Sequence, residues 1–227
     1  MIDIVYFTKG KENDELKHSL RSLCRNFYHT WGKLVIIGTK PDDVRADLFI
    51  EFEPTGTKYS NVRDAINLVL EDNRINDFIL MNDDFYFNRK MDDIPYFYDN
   101  TLYDLAGRII AKYNGFTDYS AKLIKEAQFL KQNNYDVKNF EVHVPFYVEK
   151  EKAKDMKKIY KDSYYCFRST YGNIYCNNTA KPLRDVKNIS NYKNKPFLST
   201  SNHTFIRNSD IGNYIKKKFK NKCRYEQ

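Results

Sequence analysis

FILMNDDFYF, residues 78–87, decides how this chain is read. Its first half is an apolar run of strand length and its second half is aromatic, yet Asn82, Asp83 and Asp84 stand between them. Two adjacent carboxylates do not sit in a dry core without partners, because burying an unpaired charge costs several kcal/mol. The pair therefore marks either a hydrated strand end that meets a ligand, or a plain turn or helix cap of the kind Asn and Asp commonly form.

The sequence before it favours the strand end. IDIVYF (2–7) reads as a buried first strand. NDELKHSLRSLCRNF (13–27) places Leu16, Leu20, Leu23 and Phe27 at spacings of four, three and four, which is an amphipathic helix opened by Asn13 or Asp14. Lys17, Arg21 and Arg25 lie one turn apart on its other side. KLVIIGT (33–39) is a second buried strand ended by Gly38, and ADLFIEFE (46–53) is a third. SNVRDAINLVLEDN (60–73) reads as a helix capped by Ser60 or Asn61, with Val62, Ile66 and Val69 or Leu70 inward. DFILMN (77–82) is then a fourth strand. Such alternation predicts an α/β fold whose mostly parallel sheet is flanked by helices. The second half is more mixed, with helices near 118–134 and 149–161, a strand FEVHVPF (140–146) between them, and a basic helix near 209–222. No repeat or linker interrupts residues 1–227, so one domain is expected.

Composition narrows the class. With 41% hydrophobic residues and few Gly or Pro, general disorder is excluded. The net charge of +8 points to anionic partners. Cys24, Cys166, Cys176 and Cys223 show neither CxxC spacing nor a Cys/His cluster, so structural zinc is not expected and reduced cytosolic thiols are. MIDIVYF lacks the length and basic lead of a signal peptide, and no apolar stretch reaches transmembrane length. A soluble, cytoplasmic protein is the expectation.

In open α/β sheets, ligands bind beyond the carboxyl ends of the parallel strands. Asp83 and Asp84 fall there, and carboxylate oxygens suit Mg²⁺ or Mn²⁺. Because side chains alternate along a strand, the two point opposite ways unless the chain bends, and Asp84 is the preferred ligand. His143 is the candidate general base, since imidazole titrates near neutrality. Alternation in FEVHVPF puts Phe140, Val142, Val144 and Phe146 on one face and Glu141 beside His143 on the other, where the acid would orient the ring. An exposed polar face is the ordinary alternative for such a histidine. Arg168, in YYCFRST (164–170), stands among aromatics it can stack on. Lys58, Tyr59 and Asn61, in GTKYSNVRDA (56–65), precede a helix N-terminus suited to anions and are candidate substrate contacts, as are Asn82, Asn202 and His203. The tail NYIKKKFKNKCR (213–224) has six basic residues and no acid, and reads as a solvated helix face or as a contact for an anionic polymer or acidic membrane surface. No helix-turn-helix, RNP or zinc pattern supports nucleic-acid binding.

Four segments in order resemble the Stealth family of hexose-1-phosphate transferases, which includes bacterial capsule phosphotransferases and the catalytic subunit of the lysosomal GlcNAc-1-phosphotransferase. These are IDIVYF; ELKHSLRSL with KLVIIGT and FILMNDDFYF; FEVHVPF with YYCFRST; and FLSTSNHTF with KNKCRYE. The chain departs from the family where FTKGKEND follows the first segment in place of Trp-Val-Asp-Gly, and where Ser201-Asn202 replaces an Asn-Asp pair.

The resemblance implies a GT-A-like fold and a nucleotide-diphosphate sugar as donor, with a UDP-sugar the first expectation. It implies Asp84 and Asp83 as holders of the metal at the diphosphate, Arg21 and Arg168 as phosphate contacts, and His143 as base. The reaction it implies is transfer of a sugar 1-phosphate to a hydroxyl of a polysaccharide or other glycoconjugate. Two alternatives stand beside it: a glycosyltransferase releasing nucleoside diphosphate, and a non-catalytic module that binds an anionic polymer.

Overall fold

Alternating apolar runs and amphipathic segments build the first half as expected. Strand β1 (Ile2–Thr8) leads to helix α1 (Asp14–Asn26), whose cap Asn13 accepts from the Leu16 amide at 2.9 Å. Strands β2 (Trp31–Gly38) and β3 (Leu48–Glu51), helix α2 (Lys58–Glu71) and strand β4 (Phe78–Asn82) follow. Then come β5 (Phe85–Phe87), β6 (Phe97–Tyr98), α3 (Leu102–Tyr113), α4 (Asp118–Gln132), β7 (Phe146–Val148) and α5 (Lys150–Tyr160). The chain closes with α6 (Phe167–Tyr171), a π-helical turn (Gly172–Cys176), β8 (Lys181–Pro182), β9 (Phe197–Ser199), α7 (Asn202–Ile206) and α8 (Asp210–Lys218). The computed structural model describes residues 1–8, 10–160, 166–207 and 209–227, with residues 58 and 59 described by backbone alone.

The main sheet has the order β3-β2-β1-β4-β7, with β1 to β4 parallel and β7 antiparallel at the edge. This is the α/β, mostly parallel arrangement expected of a GT-A-like domain. The order steps outward from β1 to β2 and β3 on one side and to β4 on the other, so β1 and β4 flank the topological switch point. At the end of β2, Gly38 has a φ of +123° and approaches Thr8 so closely that a Cβ would stand 2.1 Å from its carbonyl oxygen, which leaves glycine as the fitting residue.

Strand alternation divides the core by face. Val5, Val35, Ile37 and Leu80 pack toward α2, α5 and the α3–α4 pair, while Ile4, Tyr6, Ile36 and Met81 pack toward α1, β5 and β9. A smaller core under α8 joins Tyr86, Leu198, Phe205 and Ile215. Helix α1 is tied to β5 by polar side chains. Ser19 Oγ donates to the Phe85 carbonyl, Ser22 Oγ accepts from the Phe87 amide at 2.9 Å, and Asn26 Nδ2 donates to the Phe87 carbonyl at 2.6 Å.

Several boundaries differ from the sequence reading. Helix α2 starts earlier, with Thr57 as its cap in place of Ser60 or Asn61, and Val62 faces out at 40% exposure while Ile66, Val69 and Leu70 are buried. Helix α3 was not anticipated, although Thr101 and Asp104 close a reciprocal capping box at its start. The final helix stops at Lys218, where the chain turns to bury Phe219. The expected helix at 149–161 matches α5 through Tyr160, and residue 161 lies outside the described residues.

The largest correction concerns FEVHVPF. Only its last residue enters a strand. The backbone of 140–143 is met mainly by side chains instead: the Phe140 amide by Ser169 Oγ, the Glu141 amide by Asn139 Oδ1, the His143 amide by Asp185 Oδ1, and the Val142 carbonyl by Arg168 and by the Val144 amide. Pro145 has no amide to offer a ladder. Phe140 and Phe146 enter one core while Val142 and Val144 enter the other, so this segment wedges between layers.

Asp3 shows how the sheet is fixed at its opposite, amino-terminal end. It is fully buried, and its carboxylate accepts from the Lys33 amide at 2.7 Å and the Asn76 amide at 2.9 Å, joining the starts of β1 and β2 to the turn before β4. Replacing it leaves those donors unmet, at about 1–3 kcal/mol each. Asp3→Ala is therefore expected to lower the thermal midpoint by roughly 5–10 °C in a calorimetric scan; an unchanged midpoint would show that the carboxylate is dispensable.

Candidate active site

Asp83 and Asp84 form the turn between β4 and β5, immediately beyond the carboxyl end of β4. They stand in the turn itself, where strand alternation does not apply, and they take different partners. Asp83 Oδ2 accepts from Asn13 Nδ2 at 2.7 Å, so the cap of α1 also holds the first carboxylate across the switch point. Asp84, only 8% exposed, accepts on Oδ2 from Ser199 Oγ at 3.1 Å and from Lys187 Nζ at 3.0 Å.

Lys187 links this turn to His143. The Lys187 amide donates to Asp185 Oδ1 at 3.3 Å, and the His143 Nδ1 atom lies 2.9 Å from both oxygens of Asp185. An Nδ1 facing a carboxylate on both oxygens carries the proton, which leaves Nε2 as the basic nitrogen. No hydrogen bond occupies Nε2 among the described residues. The imidazole sits edge-on to Phe85 at 6.2 Å, and the Arg168 guanidinium lies 4.9 Å from the centre of the same ring. Arg168 is buried, with Nη1 donating to the Val142 carbonyl at 3.2 Å and Nη2 to Asn82 Oδ1 at 3.3 Å. Burial works against its charge, and Glu141 and Asp84 offset that effect. His143, Arg168, Asn82 and Asp84 thus meet around Phe85.

Glu141 does not orient His143. Its Oε1 accepts the Ser169 amide at 3.0 Å, in the first turn of α6, and Asp185 takes the orienting role instead. Burial would raise the Asp185 carboxyl, but the His143 ring and the amides of His143 and Lys187 together pull it below the usual carboxylate value.

On the Asp83 side lies a cleft of about 320 Å³ bordered by Asn13, Glu15, Lys17, Asp83, Asn202 and Phe205. Glu15, in the first turn of α1, accepts from Thr200 Oγ1 at 3.0 Å. Burial pushes its carboxyl up to about 7, helped by Asp83 and Asp84 and opposed by the Thr200 hydroxyl.

Other candidates disperse. Asn202 opens α7 at the rim of this cleft, and His203 beside it is exposed. Asn61 is bound to both backbone groups of Gly56, beyond edge strand β3 and two strands from β1. The side chains of Lys58 and Tyr59 lie outside the described residues. Arg21 is not brought to the acidic pair: its Nε and Nη2 bind Glu226 at 2.8 and 2.5 Å, and its Nη1 donates to the Phe219 carbonyl at 3.1 Å. The residues that sequence reasoning missed are Glu15, Asp185, Lys187 and Ser199. Asp185 and Lys187 stand in an irregular segment with no periodicity to single them out, whereas Glu15 was legible only as one of several acids at the start of α1.

The acidic turn offers oxygen donors alone. Among the described residues no group of three or more His, Cys, Asp or Glu could hold a metal by itself. Mg²⁺ usually takes one or two carboxylates and completes its shell with water and substrate phosphates. Both hydrogen bonds to Asp84 fall on Oδ2, which leaves Oδ1 as a donor. The donor set thus fits a metal shared with substrate and not a closed structural site.

A carboxyl raised from its unfolded value of 4.5 to about 7 contributes stability that is fully present below pH 4.5 and is lost as pH rises through 7. Glu15→Gln is therefore expected to stabilise the fold at pH 8, by about 1 kcal/mol once solvent screening at this half-buried position is discounted, and to change nothing at pH 4. Thermal melts at the two pH values check this, and equal shifts at both would refute it.

No known family model matches the chain, and no curated protein matches it. The resemblance to the Stealth family thus rests on the motifs themselves. Among solved structures, the chain is similar to the glycosyltransferase GlyE of Streptococcus pneumoniae TIGR4, with a TM-score of 0.35 and 8% identity over 81% of this chain and 45% of that one. The chain spans less than half the length of that enzyme, and so distant a likeness carries no functional weight.

Proposed function

We propose that this chain transfers a sugar 1-phosphate from a nucleotide-diphosphate sugar to an acceptor hydroxyl. The observation that carries the reading is His143, held by Asp185 with Nε2 open, beside the Asp84–Lys187 pair at the switch point. In this reading the acceptor hydroxyl gives its proton to His143 Nε2, and Asp185 stabilises the imidazolium that forms. The hydroxyl oxygen bonds to the β-phosphorus, the bond from that phosphorus to the bridging oxygen breaks, and nucleoside monophosphate leaves with the electron pair. Lys187 and Arg168 are the cations of this cluster, and a preorganised cation beside a transferring phosphate stabilises the transition state more than the ground state. Asp83 and Asp84 are the residues that would hold Mg²⁺ or Mn²⁺, which when bound would neutralise charge on the donor diphosphate.

Glu15 supports a second reading. A carboxyl near 7 in the cleft beside Asp83 is poised as a general base of its own, which suits attack at the sugar carbon with release of nucleoside diphosphate.

Incubation with UDP-, GDP- and CDP-sugars and Mg²⁺ or Mn²⁺ separates the two by the nucleotide released. Monophosphate release that falls roughly 10²-fold or more in His143→Ala and in Asp185→Asn is expected. Diphosphate release that depends on Glu15 would replace it with the second reading. Independently of turnover, calorimetry is expected to show donor binding that needs the divalent ion and is lost in Asp84→Ala; binding indifferent to both would remove the metal from the proposal.

A further inference from the structure

Helix α1 has two ends of opposite character. Its first turn borders the acidic cleft, and its last turns line an opening of about 610 Å³ where Arg21, Cys24 and Arg25 meet Trp31, Lys222 and Arg224. A second opening, of about 580 Å³, shares Arg25 and Asn221 with the first and continues beside α8 past Lys193, Lys217 and Lys220. Together they form one groove, and no Asp or Glu lines either part. Arg21 is neutralised by Glu226, but the side chains of Lys193, Lys217 and Lys220 make no ion pair among the described residues. Such a row of uncompensated cations recognises repeated anionic charge.

The aromatic rings of the groove do not offer stacking faces. Trp31 lies under Arg224 at 5.1 Å and against Tyr225 at 5.7 Å. Tyr214 is covered by Tyr192 at 5.0 Å and by Lys218 at 5.2 Å, and Phe27 packs on Phe87 and His29. A single-stranded nucleic acid gains much of its affinity from base stacking on open rings, and these rings are closed to it. The uncompensated cations are exposed, and because the two openings share Arg25 and Asn221 the charge runs on from one to the other, which suits one strand laid along it.

We infer that this groove binds a linear phosphodiester polymer that carries no bases, of the poly(glycerol phosphate) kind, through its phosphates. Ten residues of helix at 1.5 Å each separate Glu15 from Arg25, so a chain seated in the groove comes within about 15 Å of the acidic cleft. That the polymer is the acceptor rests on the transferase reading above; its binding does not.

Trp31 is the chain's single tryptophan and reports on the groove from within. Titration with poly(glycerol phosphate) is expected to shift its emission saturably, with log affinity falling linearly in log salt. Reversing the charge of the exposed Lys193, Lys217 and Lys220 to Glu should weaken binding roughly tenfold or more, with an unchanged far-UV spectrum, while Asp84→Ala binds like the wild type. Full binding by the triple variant, no binding by the wild type, or tighter binding of oligo(dT) or phosphatidylglycerol vesicles than of the polymer would each overturn the inference. Polymer binding without sugar transfer to it would uphold the groove and remove the acceptor role.

Discussion

The parallel pairing of β1 with β4, from Asp3 against Phe78 to Phe7 against Asn82, sets where everything else stands. With β2 and β3 stacked beyond β1 and only antiparallel β7 beyond β4, the chain leaves β1 for α1 and β4 for β5 on the same face of the sheet, and a crevice opens where the two exits adjoin. Asn13 closes one wall of that crevice and the Asp83–Asp84 turn the other, and the hydrogen bond between Asn13 and Asp83 spans it. The buried Asp3 fixes the far ends of the same strands. A sheet so pinned at both ends presents its acidic turn in one geometry, which is what preorganisation of charge requires.

Around that turn, polar and charged groups form one connected chain. His143 leans on Asp185, Asp185 takes the Lys187 amide, and the Lys187 ammonium reaches Asp84. Each group has an opposite or polar neighbour, so the cluster tolerates partial burial that a lone carboxylate would not. The residues come from a strand end, an irregular wedge and a long connection before β9. Only the fold brings them together.

The first half of the fold was legible because buried parallel strands and amphipathic helices write their periods directly into sequence. The second half was less so. FEVHVPF alternates as a strand does, yet Ser169, Asn139, Asp185 and Arg168 satisfy its backbone in place of a neighbouring strand. Periodicity reports burial and is silent on who takes the hydrogen bonds. The same limit hid Asp185, whose importance lies in a contact 42 residues away in sequence. Asp84 and His143 were legible as chemistry, Asp84 because a charge interrupts an apolar run. Arg21 misled because a basic stripe on a helix shows its spacing but not its partner, and that partner, Glu226, lies 205 residues on.

The ladder of Ser19, Ser22 and Asn26 against β5 has a consequence for association. β5 pairs with β9 on one side, and on the other its Phe85 and Phe87 backbone groups are taken by side chains of α1. A strand edge left open is a template on which another chain can add and propagate. Here a helix fills that role without being a strand, so the small sheet that follows the acidic turn cannot be extended on that side by an incoming peptide or by a second copy. The seal uses hydroxyls and an amide, which satisfy the edge while adding no new edge of their own.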